Sequence, residues 1–216
     1  MSTTNRTQDA AQRIIDICVA AAVLILLFPV LLVVASLIAV GLGRPVLFRQ
    51  PRPGKDGRAF TLVKFRTMLG VDEQRGLISD ADRLTALGRF LRATSLDELP
   101  TMWNVLRGEM SLVGPRPLLL RYLERYTPEQ ARRHLVRPGI TGLAQVRGRN
   151  ALSWEEKFAL DVWYVDNRSI KLNARICAAT VRTVLRRDGI AAAGDVTMPE
   201  FMGPTAPVVR QRRSHA

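Results

Sequence analysis

From Ile17 to Gly43 the chain runs for 27 residues without a charge: ICVAAAVLILLFPVLLVVASLIAVGLG. About 20 apolar residues suffice to cross the hydrocarbon core of a bilayer, so this run has to be buried in lipid or in protein. A cleaved signal peptide fits poorly. The polar lead-in is long, the apolar run exceeds an ordinary h-region, and basic sequence follows at once. Pro29 stands near the middle, where a proline removes a helix hydrogen bond and bends the axis. Two paths are open: a kinked span with its amino terminus outside, or a break at Phe28-Pro29 and a return to the same face. The flank beyond the run carries Arg44, Arg49, Arg52, Lys55 and Arg58. The positive-inside rule places that flank in the cytoplasm.

The formal net charge is +13. All of it falls after residue 43, because Arg6 and Arg13 cancel Asp9 and Asp16. Such a domain attracts anionic partners: phosphorylated substrates, an anionic lipid surface or nucleic acid. The basic residues are interspersed with glycine-rich motifs and paired acids and form no single stripe, so nucleic acid is not expected. Cys18 and Cys177 have no metal-ligand spacing and suit a reducing compartment. His134 precedes a Pro-Gly turn and reads as structural.

Coarse structure follows from the pattern. A strand at Val46–Phe48, a turn at Gly54–Gly57 and a strand at Phe60–Phe65 are expected, then a loop over 70–79. Leu84, Leu87 and Leu91 recur at helical spacing, giving an amphipathic helix over Ala81–Arg92 with a basic side. Leu118–Tyr126 reads as a helix, with a restart at Pro128. Residues 139–150 read as glycine-punctuated strands and loop. There Gln145, Arg147, Arg149 and Asn150 are candidates for nucleotide or sugar binding, against a plain turn surface. Ser153–Asp166 and Ile170–Arg187 are helices, the first opened by a Ser153-x-x-Glu156 capping box. The polar residues 1–12 are expected to fray, and the last dozen to be disordered.

The stretch SLDELPTMWNVLRGEMSLVGPRP, Ser95–Pro117, concentrates the chemistry. Asp97 and Glu98 are adjacent, and Arg89, Arg92, Arg107 and Arg116 crowd them in sequence. Ser95-x-x-Glu98 also fits a capping box, which would make the acids mere helix caps. Against that, Pro100 makes the helix start irregular. Carboxylates near cations stay ionised and can act as a nucleophile or bind a hard cation.

Together KFRTM, SLDELPTMWNVLRGEMSLVGPRP, RHLVRPGITGLAQVRGRN and WEEKFALDVWYV strongly resemble the bacterial sugar transferases, the monotopic phosphoglycosyl transferases. The resemblance covers roughly residues 13–187 and suggests the minimal catalytic-core form; the tail AGDVTMPEFMG is similar to that of enzymes that start bacterial glycoprotein assembly. It implies an α/β fold, helix-rich with a small sheet, behind a re-entrant membrane helix-hairpin. The expected units are a polar N-terminus at 1–12, a membrane helix at 13–43 broken at Pro29, a catalytic domain at 44–190 and a tail at 191–216. The implied reaction moves a phospho-sugar from a UDP-sugar to polyprenyl (undecaprenyl) phosphate and releases UMP, the first membrane step of glycoconjugate assembly. Asp97 would be the nucleophile, and Glu98, with Asp97, would hold Mg2+. Arg116 would bind phosphate, with Lys64, Arg66, Arg92 and Arg137 as further candidates beside Gln145 and Arg149. Membrane lipid is a partner, a homodimer is open, and the cytoplasmic face of the inner membrane is the expected location. Asn173 departs from the family pattern, which favours an acid there.

Overall fold

A computed structural model describes residues 3–148, 151–186 and 200–203. The apolar run forms two helices, α1 (Thr3–Leu26) and α2 (Phe28–Gly41), which meet at 63°. Leu27 is the hinge, and Pro29 sits in the first turn of α2, where its missing N–H costs nothing. Neither helix alone is long and apolar enough to cross a membrane; the bent pair together has the length and composition of a broken span or a re-entrant loop.

The polar lead-in is helical from Thr3, contrary to the expected fraying. Its residues find partners far away in sequence. Asp9 takes both guanidinium nitrogens of Arg168, at 2.5 and 3.2 Å. Gln12 accepts from Asn173 at 2.8 Å, and Asp16, 1% exposed, accepts the Leu112 N–H at 3.1 Å. The unusual Asn173 thus ties the last helix to the first, and it also accepts from the buried Tyr164 hydroxyl at 2.9 Å.

Strands β1 (Leu47–Pro53) and β2 (Ala59–Phe65) form an antiparallel hairpin around the expected turn, with Leu47 opposite Phe65 and Pro53 opposite Ala59. The expected helix over 81–92 is in fact two. Ser79 caps α3 (Asp80–Arg83), the chain extends at Leu84, and Thr85 caps α4 (Ala86–Ala93). Two hydroxyl caps six residues apart end one helix and start another. Gly88 lies against the Thr67 carbonyl, where a Cβ would sit at 1.9 Å; only glycine lets α4 dock there.

A 3-10 helix spans Leu96–Thr101, followed by α5 (Met102–Arg107) and β3 (Ser111–Val113). The helix expected at Leu118–Tyr126 is a 3-10 helix, Leu120–Arg125. Next come α6 (Pro128–Ala131), a 3-10 turn at Arg132–Leu135 and β4 (Gly139–Thr141). β4 pairs in parallel with β3, Ser111 opposite Gly139. The stretch expected as strands and loop then becomes a helix, α7 (Leu143–Arg147). Helices α8 (Trp154–Asn167) and α9 (Ile170–Arg186) complete the described body. The sheet is two separate two-stranded pieces. Arg149 and the expected disorder of the last dozen residues lie outside the described residues.

Among the described residues, four cores hold these pieces. Ala20, Leu62, Val105 and Met110 join α1, β2 and α5. Val34, Ile38, Phe65 and Leu91 join α2, β2 and α4. Val113, Leu143, Tyr164 and Ile176 pack β3 against α7, α8 and α9. Tyr122, Phe158 and Phe201 form an aromatic cluster, with Phe201 supplied by the tail. The bent apolar pair is therefore part of the domain's own core, and β2 is the strand that both of its helices grip.

Candidate active site

Ser95 adopts φ 57°, a left-handed conformation that is costly for a residue with a Cβ. Its side chain makes no cap bond, so the capping-box reading of Ser95–Glu98 does not hold. The kink turns the chain sharply out of α4 and sets Asp97 and Glu98 at the start of the 3-10 helix.

Asn104 docks that segment onto β2. It is 1% exposed. Its Nδ2 donates to the Thr61 carbonyl and to Glu109 Oε2, both at 2.7 Å, and its Oδ1 accepts the Val63 N–H at 3.1 Å. Thr101 donates to the Val63 carbonyl at 2.9 Å. Two side chains thus do for the edge of β2 what a third strand would do, satisfying backbone groups that burial would otherwise leave unpaired. Arg13 of α1 holds the other end of α5, donating to the Val105 and Leu106 carbonyls at 2.5 and 2.6 Å. Sequence reasoning passed over both residues. The visible signal for Asn104 was a lone amide inside the apolar run Met102–Leu106.

Lys64 extends from β2 to Glu98, with Nζ 2.5 Å from Oε1. Arg116 reaches the same oxygen at 3.4 Å. Arg92, from the last turn of α4, donates Nε to Thr67 at 3.1 Å. The electrostatics divide the two acids. Burial opposes ionisation of Glu98, but Lys64 and Arg116 outweigh it and hold the carboxyl down at about 2. Burial and the neighbouring Glu98 charge push Asp97 up to about 6, against Lys64, Arg92 and Arg116. Asp97 is 9% exposed, and among the described residues no ion pair or hydrogen bond engages its carboxylate. Burial also lowers the pKa of Lys64 and Arg92.

The Pro115-Arg116-Pro117 corner is itself held. Arg133, 2% exposed, donates to the Arg116 carbonyl at 2.8 Å and to Asp161 at 2.7 Å. Arg52 reaches the Pro117 carbonyl at 3.4 Å. Gly114 packs on the Arg137 carbonyl, 2.4 Å from where a Cβ would lie, so the chain leaving β3 lies directly against the backbone that enters β4.

Three other candidates are held elsewhere. Arg66 donates to the Leu42 and Gly43 carbonyls, capping the carboxyl end of α2 as a cation there should. Arg137 donates to the Gly108 carbonyl at 2.8 Å. Gln145 donates to the Ile140 carbonyl at 2.8 Å. His134 is structural in its surroundings: its Nδ1 lies 3.3 Å from the Gly54 carbonyl, and burial lowers its pKa to about 4.

Among the described residues no cluster of three or more acids, histidines or cysteines converges to cage a metal. Asp97 and Glu98 still suit Mg2+, which binds through one or two carboxylates with the rest of its shell from phosphate and water.

The profile of the bacterial sugar transferases matches residues 7–187. The chain is 50% identical over 193 residues to the Bacillus subtilis protein named "Uncharacterized sugar transferase EpsL", covering 89% of this chain and 96% of that one. It is 41% identical over 192 residues to the UDP-glucose:undecaprenyl-phosphate glucose-1-phosphate transferase of Caulobacter vibrioides, covering 83% of this chain and 72% of that protein. With the UDP-galactose-lipid carrier transferase of Erwinia amylovora it shares 40% identity over 197 residues, 82% of this chain but 41% of that protein. A profile match across the hairpin, the dyad and the Arg116 corner, together with these identities, makes the chain a member of the bacterial sugar transferases.

Proposed function

We propose that the chain transfers a phospho-sugar from a UDP-sugar to a polyprenyl phosphate, releasing UMP, by way of an aspartyl phospho-sugar. The observation that carries this reading is the buried Asp97 carboxylate, without an ion pair, beside a Glu98 held ionised by Lys64 and Arg116. A carboxylate nucleophile needs to be desolvated and unengaged, with cations close enough to offset the charge of the incoming diphosphate. Asp97 attacks the phosphorus that bears the sugar, the bond to the bridging oxygen breaks, and UMP leaves. The polyprenyl phosphate oxygen then attacks the same phosphorus and displaces Asp97. Lys64, Arg92 and Arg116 surround the carboxylates where negative charge builds up. Positioning and charge do most of the work in phosphoryl transfer. Mg2+ held by Glu98 and Asp97 would neutralise the phosphate oxygens.

The names of the relatives support the donor and acceptor classes: glucose, galactose and N-acetylgalactosamine phosphate transferases acting on undecaprenyl phosphate. The bent hairpin supports a re-entrant membrane seat. Its elbow leaves Ile25, Leu26 and Phe28 exposed, an apolar tip that water disfavours and lipid accepts. The basic flank that follows the apolar run supports a seat on the cytoplasmic face of the inner membrane.

The test is UMP release from UDP-glucose, UDP-galactose and UDP-N-acetylgalactosamine with Mg2+ and no lipid acceptor, followed by intact-mass measurement. A stoichiometric burst of UMP and a phospho-sugar adduct on Asp97 is the expected result. Release of UDP would indicate a glycosyltransferase. UMP that appears only with acceptor, and leaves no adduct, would make the transfer direct and Asp97 a metal ligand or base.

A further inference from the structure

Residues 200–203 dock on the body of the domain, and Phe201 is 2% exposed there. Two arginines of the Leu120–Arg125 helix hold Glu200, Arg121 at 2.9 Å and Arg125 at 2.8 Å. Arg125 also donates to the Phe201 carbonyl at 2.5 Å. The Phe201 N–H donates to the buried Tyr122 hydroxyl at 3.2 Å. The Phe201 ring then enters the aromatic cluster, edge-on to Phe158 at 4.9 Å and stacked on Tyr126 at 5.8 Å.

The same two rings carry Arg133. Its guanidinium lies 5.6 Å from the Phe158 centroid and 5.7 Å from the Tyr126 centroid, within reach of cation–π attraction. It also donates to the Tyr126 hydroxyl at 3.2 Å. From there Arg133 reaches the Arg116 carbonyl at 2.8 Å. The Arg116 side chain itself is 49% exposed, and among the described residues it bonds only Glu98, at 3.4 Å. The placement of that guanidinium therefore depends on its backbone corner, and the corner on Arg133. Every link from Phe201 through Tyr126, Arg133 and Arg116 to Glu98 is a direct contact. Close-packed interiors transmit displacement, and a shift of about 1 Å at a reacting centre can cost about a hundredfold in rate.

We propose that the docked tail, through Phe201, positions Arg116 for the phosphates of the donor. Phe201 wedges the Tyr126 and Phe158 rings, the rings hold Arg133, and Arg133 holds the corner. This inference rests on the phospho-sugar transfer reading above. It makes Phe201 a positioning residue that acts through Arg133 and Arg116.

The test uses the full-length protein in detergent micelles. The single-turnover UMP burst is measured with whichever of UDP-glucose, UDP-galactose and UDP-N-acetylgalactosamine reacts fastest. Burst rate and thermal midpoint are compared for wild type, Phe201→Leu, Arg116→Gln and the double variant, with rates taken well below each midpoint. Phe201→Leu should slow the burst about tenfold alone, but less than about twofold in the Arg116→Gln background, while lowering the midpoint equally in both. A phenylalanine that only fills the core would give the same rate effect in both backgrounds, or none in either. Coupling is reciprocal, so a bound diphosphate must tighten the tail. In wild type, UDP with Mg2+ should slow amide exchange of the peptide spanning residues 200–203 several-fold, read by mass, a measurement that needs no variant to fold. Equal slowing of the burst in the two backgrounds, an unslowed burst in Phe201→Leu, or tail exchange that UDP leaves unchanged would overturn the assignment. A wild type that releases no UMP from any of the three UDP-sugars would instead overturn the underlying reaction.

Discussion

Lys64–Glu98 and Arg133–Asp161 are both close ion pairs, 2.5 and 2.7 Å between charged atoms, yet they serve opposite ends. Arg133 is matched to its surroundings. It makes a two-nitrogen contact with Asp161, and its remaining donors go to the Tyr126 hydroxyl and the Arg116 carbonyl. Burial pushes its pKa down, and Asp161 more than restores it. Around the dyad the cations outnumber their acceptors. Lys64 and Arg116 share one oxygen of Glu98, Arg92 bonds a neutral hydroxyl, and among the described residues no close ion pair engages the buried Asp97, though all three cations act on it from further off. The satisfied pair holds the corner still; on the function proposed above, the dyad cations keep charge to offer a substrate. A structural ion pair is closed; a site built to take an anion would be left open at some cost to stability.

This contrast can be broken most sharply at Asp97. Asp97→Asn should cut UMP release by about 10³-fold or more, the scale for losing a nucleophile; near-wild-type turnover would remove Asp97 from that role. Arg133→Met should instead lower stability by about 3–5 kcal/mol, because it strands Asp161 without a cation. Chemical denaturation in detergent measures this, and the double variant Arg133→Met, Asp161→Leu should recover much of the loss. Asn104→Ala removes three hydrogen bonds to β2 and Glu109 and should cost about 2–3 kcal/mol, with activity falling as the dyad loses its seat. An unchanged melting midpoint would show that another group satisfies the strand edge.

The last effect is the smallest and the most telling. The folded pKa of Asp97 is raised to about 6, so folding favours its protonated form. Its contribution to stability is present below the unfolded pKa near 4 and is lost as pH rises through about 6. Asp97→Asn should therefore stabilise the protein at pH 7 by on the order of 2 kcal/mol and hardly at all at pH 4. The single-turnover burst of the wild type should rise through the same window as the carboxylate forms. Glu98 runs the other way: its lowered pKa contributes stability above about 4.5 that is lost only as pH falls towards about 2. Equal midpoints for wild type and Asp97→Asn at pH 7 would mean that Asp97 is not strained by burial.

Several elements were legible because their signals are local. Pro29 inside an uncharged run predicts a break, and the chain bends at Leu27. Ser153-x-x-Glu156 predicts a helix start, and both halves of that capping box form. The same spacing at Ser95 misleads, because packing of α4 on Thr67 and of Asn104 on β2 imposes a left-handed residue that no local pattern announces. The basic candidates show the same limit. Lys64 and Arg66 bracket Phe65, yet one meets Glu98 and the other caps α2, since the hairpin's end happens to lie beside residue 66.

The sequence by itself determined the break in the apolar run, the dyad and the excess of positive charge, for these depend on composition and short-range spacing. Only the tertiary structure decided which cations face the carboxylates and which acid is paired. It also showed that α1, far from being a detached anchor, holds α5 through Arg13 and β3 through Asp16. The reason is physical: charge–charge energies and desolvation depend on distance and burial, and both are set by contacts between segments far apart in the chain.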